Sequence, residues 1–238
     1  MWYLDKENNL KRVPNSKSGA QVWVPGEEMV FHEIDLPLNR RHAWPQLAPF
    51  ALEEKLIGDI EDFHFAVGTP NDNGQVPAMT IAREKMDMWM EIFNDNSLRP
   101  EKIWPDILAV PYDEQPVLWH EEGRCLLRLD AQTGLAGSPE WLGALIKTQA
   151  ESFIKIKVYS NDAEALPESL RQRVEALPRP LIECMAEAPH APAAAMNMLQ
   201  GSYRPSSPLK TWLEPWMGAT AAGLLGLSFY LALSLIHI

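Results

Sequence analysis

Residues 36–68 read LPLNRRHAWPQLAPFALEEKLIGDIEDFHFAVG, and the period of their apolar residues changes partway along. Leu52, Leu56, Ile60 and Phe63 recur at spacings of four, four and three, which predicts one apolar stripe of a helix. Phe63, Phe65 and Val67 then alternate, which predicts a half-buried strand. A helix that hands over to a strand points to a mixed α/β domain, and the flanking sequence continues the alternation.

Upstream, residues 21–24 and 29–36 read as strands separated by the turn chemistry of PGEE. Downstream, TPNDNG is a turn and VPAMTIA the hairpin partner of FHFAV. Met86, Trp89, Met90 and Phe93 mark a second helix, and KIWPDILAVPYD a buried strand punctuated by proline. PVLWHEEGRCLLRLD predicts a hairpin over 117–119 and 125–129. A helix follows at Leu142, Leu145 and Ile146, then a strand at FIKIKVY and a helix marked by Leu166, Leu170, Val174 and Leu177. PRPLIECMAEAPHAPAAA reads as loop, leading to a short helix over 196–199 and a polar linker, SYRPSSPLK. No internal sequence repeat is visible.

The 238 residues carry 32 acidic and 21 basic side chains, a net charge of -11, and are 46% hydrophobic. That composition supports a core and excludes a disordered chain. A pI near 5.0 argues against nucleic acid as a partner, because such surfaces need clustered Lys and Arg. Cys125 and Cys184 make neither a disulfide framework nor a metal motif. Mean hydropathy is only -0.21, yet no Asp, Glu, Lys or Arg follows Glu214. Residues 217–236 are all apolar, small or hydroxylated, and about 20 residues span roughly 30 Å as a helix. Trp212 and Trp216 stand where indoles favour a membrane interface. These features predict a transmembrane helix, with a fully buried core helix as the alternative. Arg204 and Lys210 precede it and nothing basic follows, so the positive-inside rule places the N-terminal region in the cytoplasm. Gly218, Ala222 and Gly226 recur every four residues and can line a helix-packing face, or reflect the ordinary small-residue content of such a helix.

The densest candidate for chemistry is the acidic run Glu53, Glu54, Asp59, Glu61 and Asp62 with His64. It admits three readings: a solvated face around an apolar stripe, a metal site if the carboxylates converge, or a docking surface for a basic partner. The metal reading corresponds to a membrane-anchored, metal-dependent hydrolase. His120 beside Glu121 and Glu122 reads as part of a solvated hairpin turn. No G-x-S-x-G, G-x-x-x-x-G-K-[ST] or G-x-G-x-x-G occurs, so the sequence offers no catalytic motif and no cofactor site.

The opening stretch also resembles the L protein of the bacterial type II (general) secretion pathway, the GspL family. The likeness lies in Pro49, Phe50, Ala51, Leu52, Glu53 and Glu54, then Asp59, Ile60, Glu61, Asp62, His64 and Phe65. It continues in WPDILAVP at 104–111 and NMLQGSYRP at 197–205. The resemblance implies an actin-like (ribonuclease-H-like) mixed α/β cytoplasmic domain without a working nucleotide site. It further implies a non-catalytic scaffold, single-pass in the bacterial inner membrane, that recruits the secretion ATPase (the E protein). Such a scaffold contacts the M protein, a second copy of itself and inner-membrane lipid. The related pilus-assembly platform keeps its actin-like and membrane parts on separate chains, so their fusion here favours type II secretion. The expected organisation is a domain over 1–200 truncated at its N-terminus, a linker over 201–215 and a membrane helix over 216–237, with the family's periplasmic domain absent.

Overall fold

The computed structural model describes residues 1–16, 19–187 and 189–205. Met1–Tyr203 form one compact unit; Arg204–Ile238 form a second, of which only Arg204 and Pro205 fall among the described residues. The expected membrane helix therefore lies outside the described residues, as do Lys210, Trp212, Trp216, Gly218, Ala222 and Gly226. Among the described residues no helix is long and apolar enough to cross a membrane.

Three sheets build the first unit. In one, β1 (Trp2–Leu4) pairs antiparallel with β2 (Leu10–Arg12) and parallel with β3 (Gln21–Val24), and β3 pairs parallel with β7 (Lys102–Pro105). In a second, β4 (Met29–Ile34) and β5 (Phe63–Val67) flank β6 (Val76–Ala82), all antiparallel. The third runs β10 (Gly134–Gly137), β9 (Arg124–Arg128), β8 (Val117–Glu121), β11 (Lys157–Ser160), β12 (Val174–Glu175). Helices α1 (Trp44–Leu52), α2 (Arg83–Asp95), α3 (Pro139–Thr148), α4 (Glu168–Arg171) and α5 (Leu181–Cys184) complete the elements.

The first and third sheets share one plan, an antiparallel hairpin followed by two parallel strands: β2-β1-β3-β7 and β9-β8-β11-β12. The third adds β10 at its edge and has the strand order of the ribonuclease-H-like half-fold. The duplication is topological, which is why no sequence repeat betrays it. The parallel strands are buried on both faces, as such strands require: Val22, Trp23, Val24, Ile103 and Trp104 are all fully buried. Trp23 and Trp104 face each other in register with ring centroids 5.4 Å apart, and the Trp23 indole N–H donates to the Met185 carbonyl at 2.9 Å. The β8–β9 turn has Glu122 and Gly123 both at positive φ (50° and 74°), the two-residue geometry that suits a tight hairpin.

Arg124 on β9 clasps the two similar sheets together. It forks onto Glu27 (2.8 and 2.6 Å) and reaches the Asp106 carboxylate at 2.7 Å, while the Gly26 N–H donates to the other Asp106 oxygen at 2.9 Å. Gly26 has to be glycine, because a Cβ there would overlap the Ile107 side chain. Burial pushes the Asp106 carboxyl above the usual carboxylate range, against the pull of the guanidinium beside it.

Several expectations need correcting. Leu52, Leu56, Ile60 and Phe63 do pack on one apolar cluster, but not as one helix. The helix is α1, which ends at Leu52; the chain then extends at Leu56 (ψ 148°), turns at Gly58 (φ 124°) and re-forms only a short 3-10 turn at Ile60–Asp62. The helix expected from Leu166 to Leu177 is the single turn α4, since Val174 must return to pair with Val158 on β11. The loop over 178–195 contains α5, and the helix expected over 196–199 is a 3-10 turn at Ala193–Met196 followed by extended chain. His120 is not solvated: it sits on β8 at 3% exposure, opposite Ser160 of β11, with Nδ1 2.8 Å from the Ser160 hydroxyl. Both cysteines are free and buried, and burial pushes the Cys125 thiol up to about 12.

Candidate docking face

The first turn of α2 and the 3-10 turn Ile60–Asp62 face each other across a groove of about 1030 Å³. Local sequence produces both walls. Met86, Trp89 and Phe93 point α2 into the core, so the alternate positions Glu84, Asp87 and Glu91 must face outward. Asp59 caps the 3-10 turn by accepting the Glu61 N–H at 3.0 Å, which presents Glu61 and Asp62 to solvent. Glu28 adds a sixth carboxylate to the lining, against Arg83 and Lys85. Lys85 is paired with Glu28 at 2.7 Å. Arg83 donates to the carbonyls of Glu61 (2.8 Å) and Phe63 (3.0 Å), so it braces the walls rather than pairing with a carboxylate. Six carboxylates against two cations leave four formal negative charges on one exposed concavity.

Next to the groove, joined to its wall where Tyr203 meets Asp87, runs the tract over 197–203. The Met198 N–H donates to the Ile103 carbonyl (2.9 Å), and the Asn197 amide oxygen accepts the Ile103 N–H (2.9 Å). Gln200 both accepts from the Val67 N–H (3.2 Å) and donates to its carbonyl (3.0 Å). His64 Nε2–H donates to the Met198 carbonyl at 2.7 Å, the acceptor fixing the tautomer. Tyr203 sets its ring edge-on to His64 (4.7 Å, 75°) and donates its hydroxyl to Asp87 at 2.5 Å. Burial and that carboxylate push the Tyr203 phenol up to about 12. Met198 and Leu199 are buried, so NMLQGSY is a strap packed into the domain.

The acidic run therefore splits. Glu61 and Asp62 join the groove, Asp59 caps its wall, and Glu53 and Glu54 lie exposed in a separate 3-10 turn. His64 is 4% exposed and faces the strap. Arg204 is exposed just past the strap. Among the described residues no group of three or more His, Cys, Asp or Glu could hold a metal ion, and the dispersal of these side chains removes the ligand set that the hydrolase reading needed. Sequence reasoning missed Glu84, Asp87 and Glu91, although the α2 stripe it identified already assigns them to the outer face.

Burial holds His64 below the ordinary imidazole range, with the Met198 hydrogen bond opposing that shift and Arg83 reinforcing it. A base with a depressed folded pKa stabilises the fold above its unfolded pKa near 6.5 and loses that contribution as pH falls through the folded value. Urea midpoints of the domain should therefore drop on acidification below about pH 6.5, and more steeply than in His64→Gln, which keeps a donor but cannot titrate.

The family model described as Type II secretion system (T2SS), protein L matches residues 4–206. The type II secretion system protein L of Dickeya chrysanthemi is 28% identical over 221 residues, covering 91% of this chain and 51% of that protein. The protein L of Pectobacterium carotovorum subsp. carotovorum is 28% identical over 213 residues, covering 85% of this chain and 48% of that protein. The chain thus spans about half the length of the curated relatives it matches. Among solved structures, the cytoplasmic domain of EpsL, an inner membrane component of the type II secretion system of Vibrio cholerae, superposes with a TM-score of 0.61 at 18% identity. That match covers 77% of this chain and 79% of the other and establishes a common fold.

Proposed function

The chain belongs to the type II secretion system protein L family, and from that membership we propose that it is an inner-membrane platform component that recruits the secretion ATPase, the E protein, through its cytoplasmic domain. The observation that carries the docking part of this reading is the groove of Glu28, Glu61, Asp62, Glu84, Asp87 and Glu91, an exposed concavity of excess negative charge. Such a surface steers a basic partner segment and fixes its orientation more than it adds raw affinity. In this proposal the membrane helix expected over 216–237 tethers the domain through the linker at 201–215, with Arg204, Lys210, Trp212 and Trp216 expected at the interface. The proposal assigns Gly218, Ala222 and Gly226 to packing against the M protein or a second copy. Tethering lets a modest affinity suffice, because partners on one membrane meet at high effective concentration.

The non-catalytic part of this reading rests on the family membership. The direct test is association of the complete chain with its cognate ATPase. A Kd near about 1 µM that weakens steeply with added salt is expected. No association, or one indifferent to salt, would sink the docking reading.

A further inference from the structure

A second concavity, of about 340 Å³, opens where the end of β9 meets the segment after α5. Its charge runs against the rest of the molecule. In a chain of net charge -11, its lining holds Arg128, Arg179 and His190 against one carboxylate, Glu187.

Arg128 is 8% exposed, and a guanidinium so deeply buried ordinarily has a carboxylate on it. Here every acceptor is a neutral carbonyl: Asp130 for Nε (3.1 Å), Leu108 and Val110 for Nη1 (2.9 and 2.5 Å), and Ala131 for Nη2 (3.0 Å). The neighbouring Asp130 carboxylate is engaged elsewhere, accepting the N–H groups of Gln132 (2.6 Å) and Thr133 (2.8 Å) and the Thr133 hydroxyl (2.5 Å). Four bonds on five N–H donors leave one Nη2 hydrogen without an acceptor among the described residues. Burial pulls the Arg128 pKa down to about 10 against the opposing influence of the Asp130 carboxylate and Tyr112, whose ring lies 5.4 Å away.

Arg179 shows what such a group accepts. It holds the Glu187 carboxylate at 3.0 Å in a largely exposed pair at the rim. That is a tethered carboxylate on a pocket cation, in an ion pair of the weak, exposed kind.

We propose that this pocket is a binding site for small organic carboxylates, the acid group meeting Arg128 and Arg179 and the carbon skeleton lying on the wall of Pro111, Pro189 and Pro192. Glu187 is then an internal competitor for Arg179. Truncating Arg128 would endanger the fold, so the test uses the two rim residues.

Calorimetric titration of the complete chain with succinate, at fixed ionic strength, should give a Kd of about 1 mM. Glu187→Gln should tighten binding about twofold to fivefold by removing the competitor, and Arg179→Gln should weaken it by a similar or larger factor. Opposite signs for two rim substitutions are not what a purely structural ion pair produces. The proposal is overturned if succinate gives no more heat than sodium chloride, if phosphate binds more tightly than succinate, or if both substitutions leave the affinity unchanged.

Discussion

Arg124→Met lowers the unfolding free energy by about 3–5 kcal/mol at neutral pH, measured as a shift of the urea midpoint at constant slope. Methionine keeps most of the side-chain volume, so the loss is electrostatic. It leaves Asp106, which is fully buried, and Glu27 facing each other without their shared cation. The exposed lysine on Glu27, Lys6 at 3.4 Å, is too weakly placed to substitute. Against a total of about 5–15 kcal/mol for an ordinary domain, this one substitution brings the fold to the edge of stability.

Two controls separate this cause from simple mispacking. A carboxyl whose folded pKa is raised adds stability below its unfolded pKa and loses it as pH rises through the folded one. In Arg124→Met, Asp106 is pushed higher still, so the deficit should shrink toward about pH 5 and grow toward neutrality. Adding Asp106→Asn should recover a large part of it, since the Gly26 N–H keeps an acceptor and the buried charge is gone. A deficit independent of pH would point to packing instead.

Glu84→Lys combined with Glu91→Lys cancels the four formal negative charges of the groove and slows association with the ATPase about tenfold or more at low salt. Both residues are exposed and make no hydrogen bond or ion pair among the described residues, so stability should move by no more than about 1 kcal/mol, most of it from reversing Glu84 in the first turn of α2. Asp87 is avoided because it holds the Tyr203 hydroxyl. Glu53→Lys with Glu54→Lys changes the net charge by the same amount away from the groove and should leave the association rate unchanged. Stopped-flow rates across a salt series decide it: the variants converge with wild type where the Debye length falls to about 3 Å. Equal rates for the groove variant and wild type at low salt would remove the groove from the interface.

What the sequence revealed followed the range of the interactions involved. The β5–β6 hairpin and α2 depend on neighbours a few residues away, and the period of FHFAV, VPAMTIA and the Met86-to-Phe93 stripe displays them directly. The 52–63 stretch misleads because spacings of four, four and three also arise when extended chain wraps one apolar cluster. Only backbone angles at Leu56 and Gly58 distinguish the two cases. His120 looked solvated because its sequence neighbours are acids, whereas β11, forty residues on, covers it. The clasp was invisible for the same reason. Arg124 lies 97 residues from Glu27 and 18 from Asp106, and nothing local marks any of the three as a partner. Of the acidic run, sequence identified the charge but not its division between a groove wall, a turn cap and an unrelated turn.

The strap also sets an order of events during synthesis. The Ile103 N–H waits 94 residues for the Asn197 side chain, and the His64 ring waits 134 residues for the Met198 carbonyl. Until residues 197–200 have left the ribosome, these groups and both main-chain groups of Val67 have only water for partners. Contacts of such separation close late, since the chain entropy of the intervening loop has to be overcome first. The nascent domain therefore stays open at β5 and β7 through most of its translation, and its last few residues determine when it shuts.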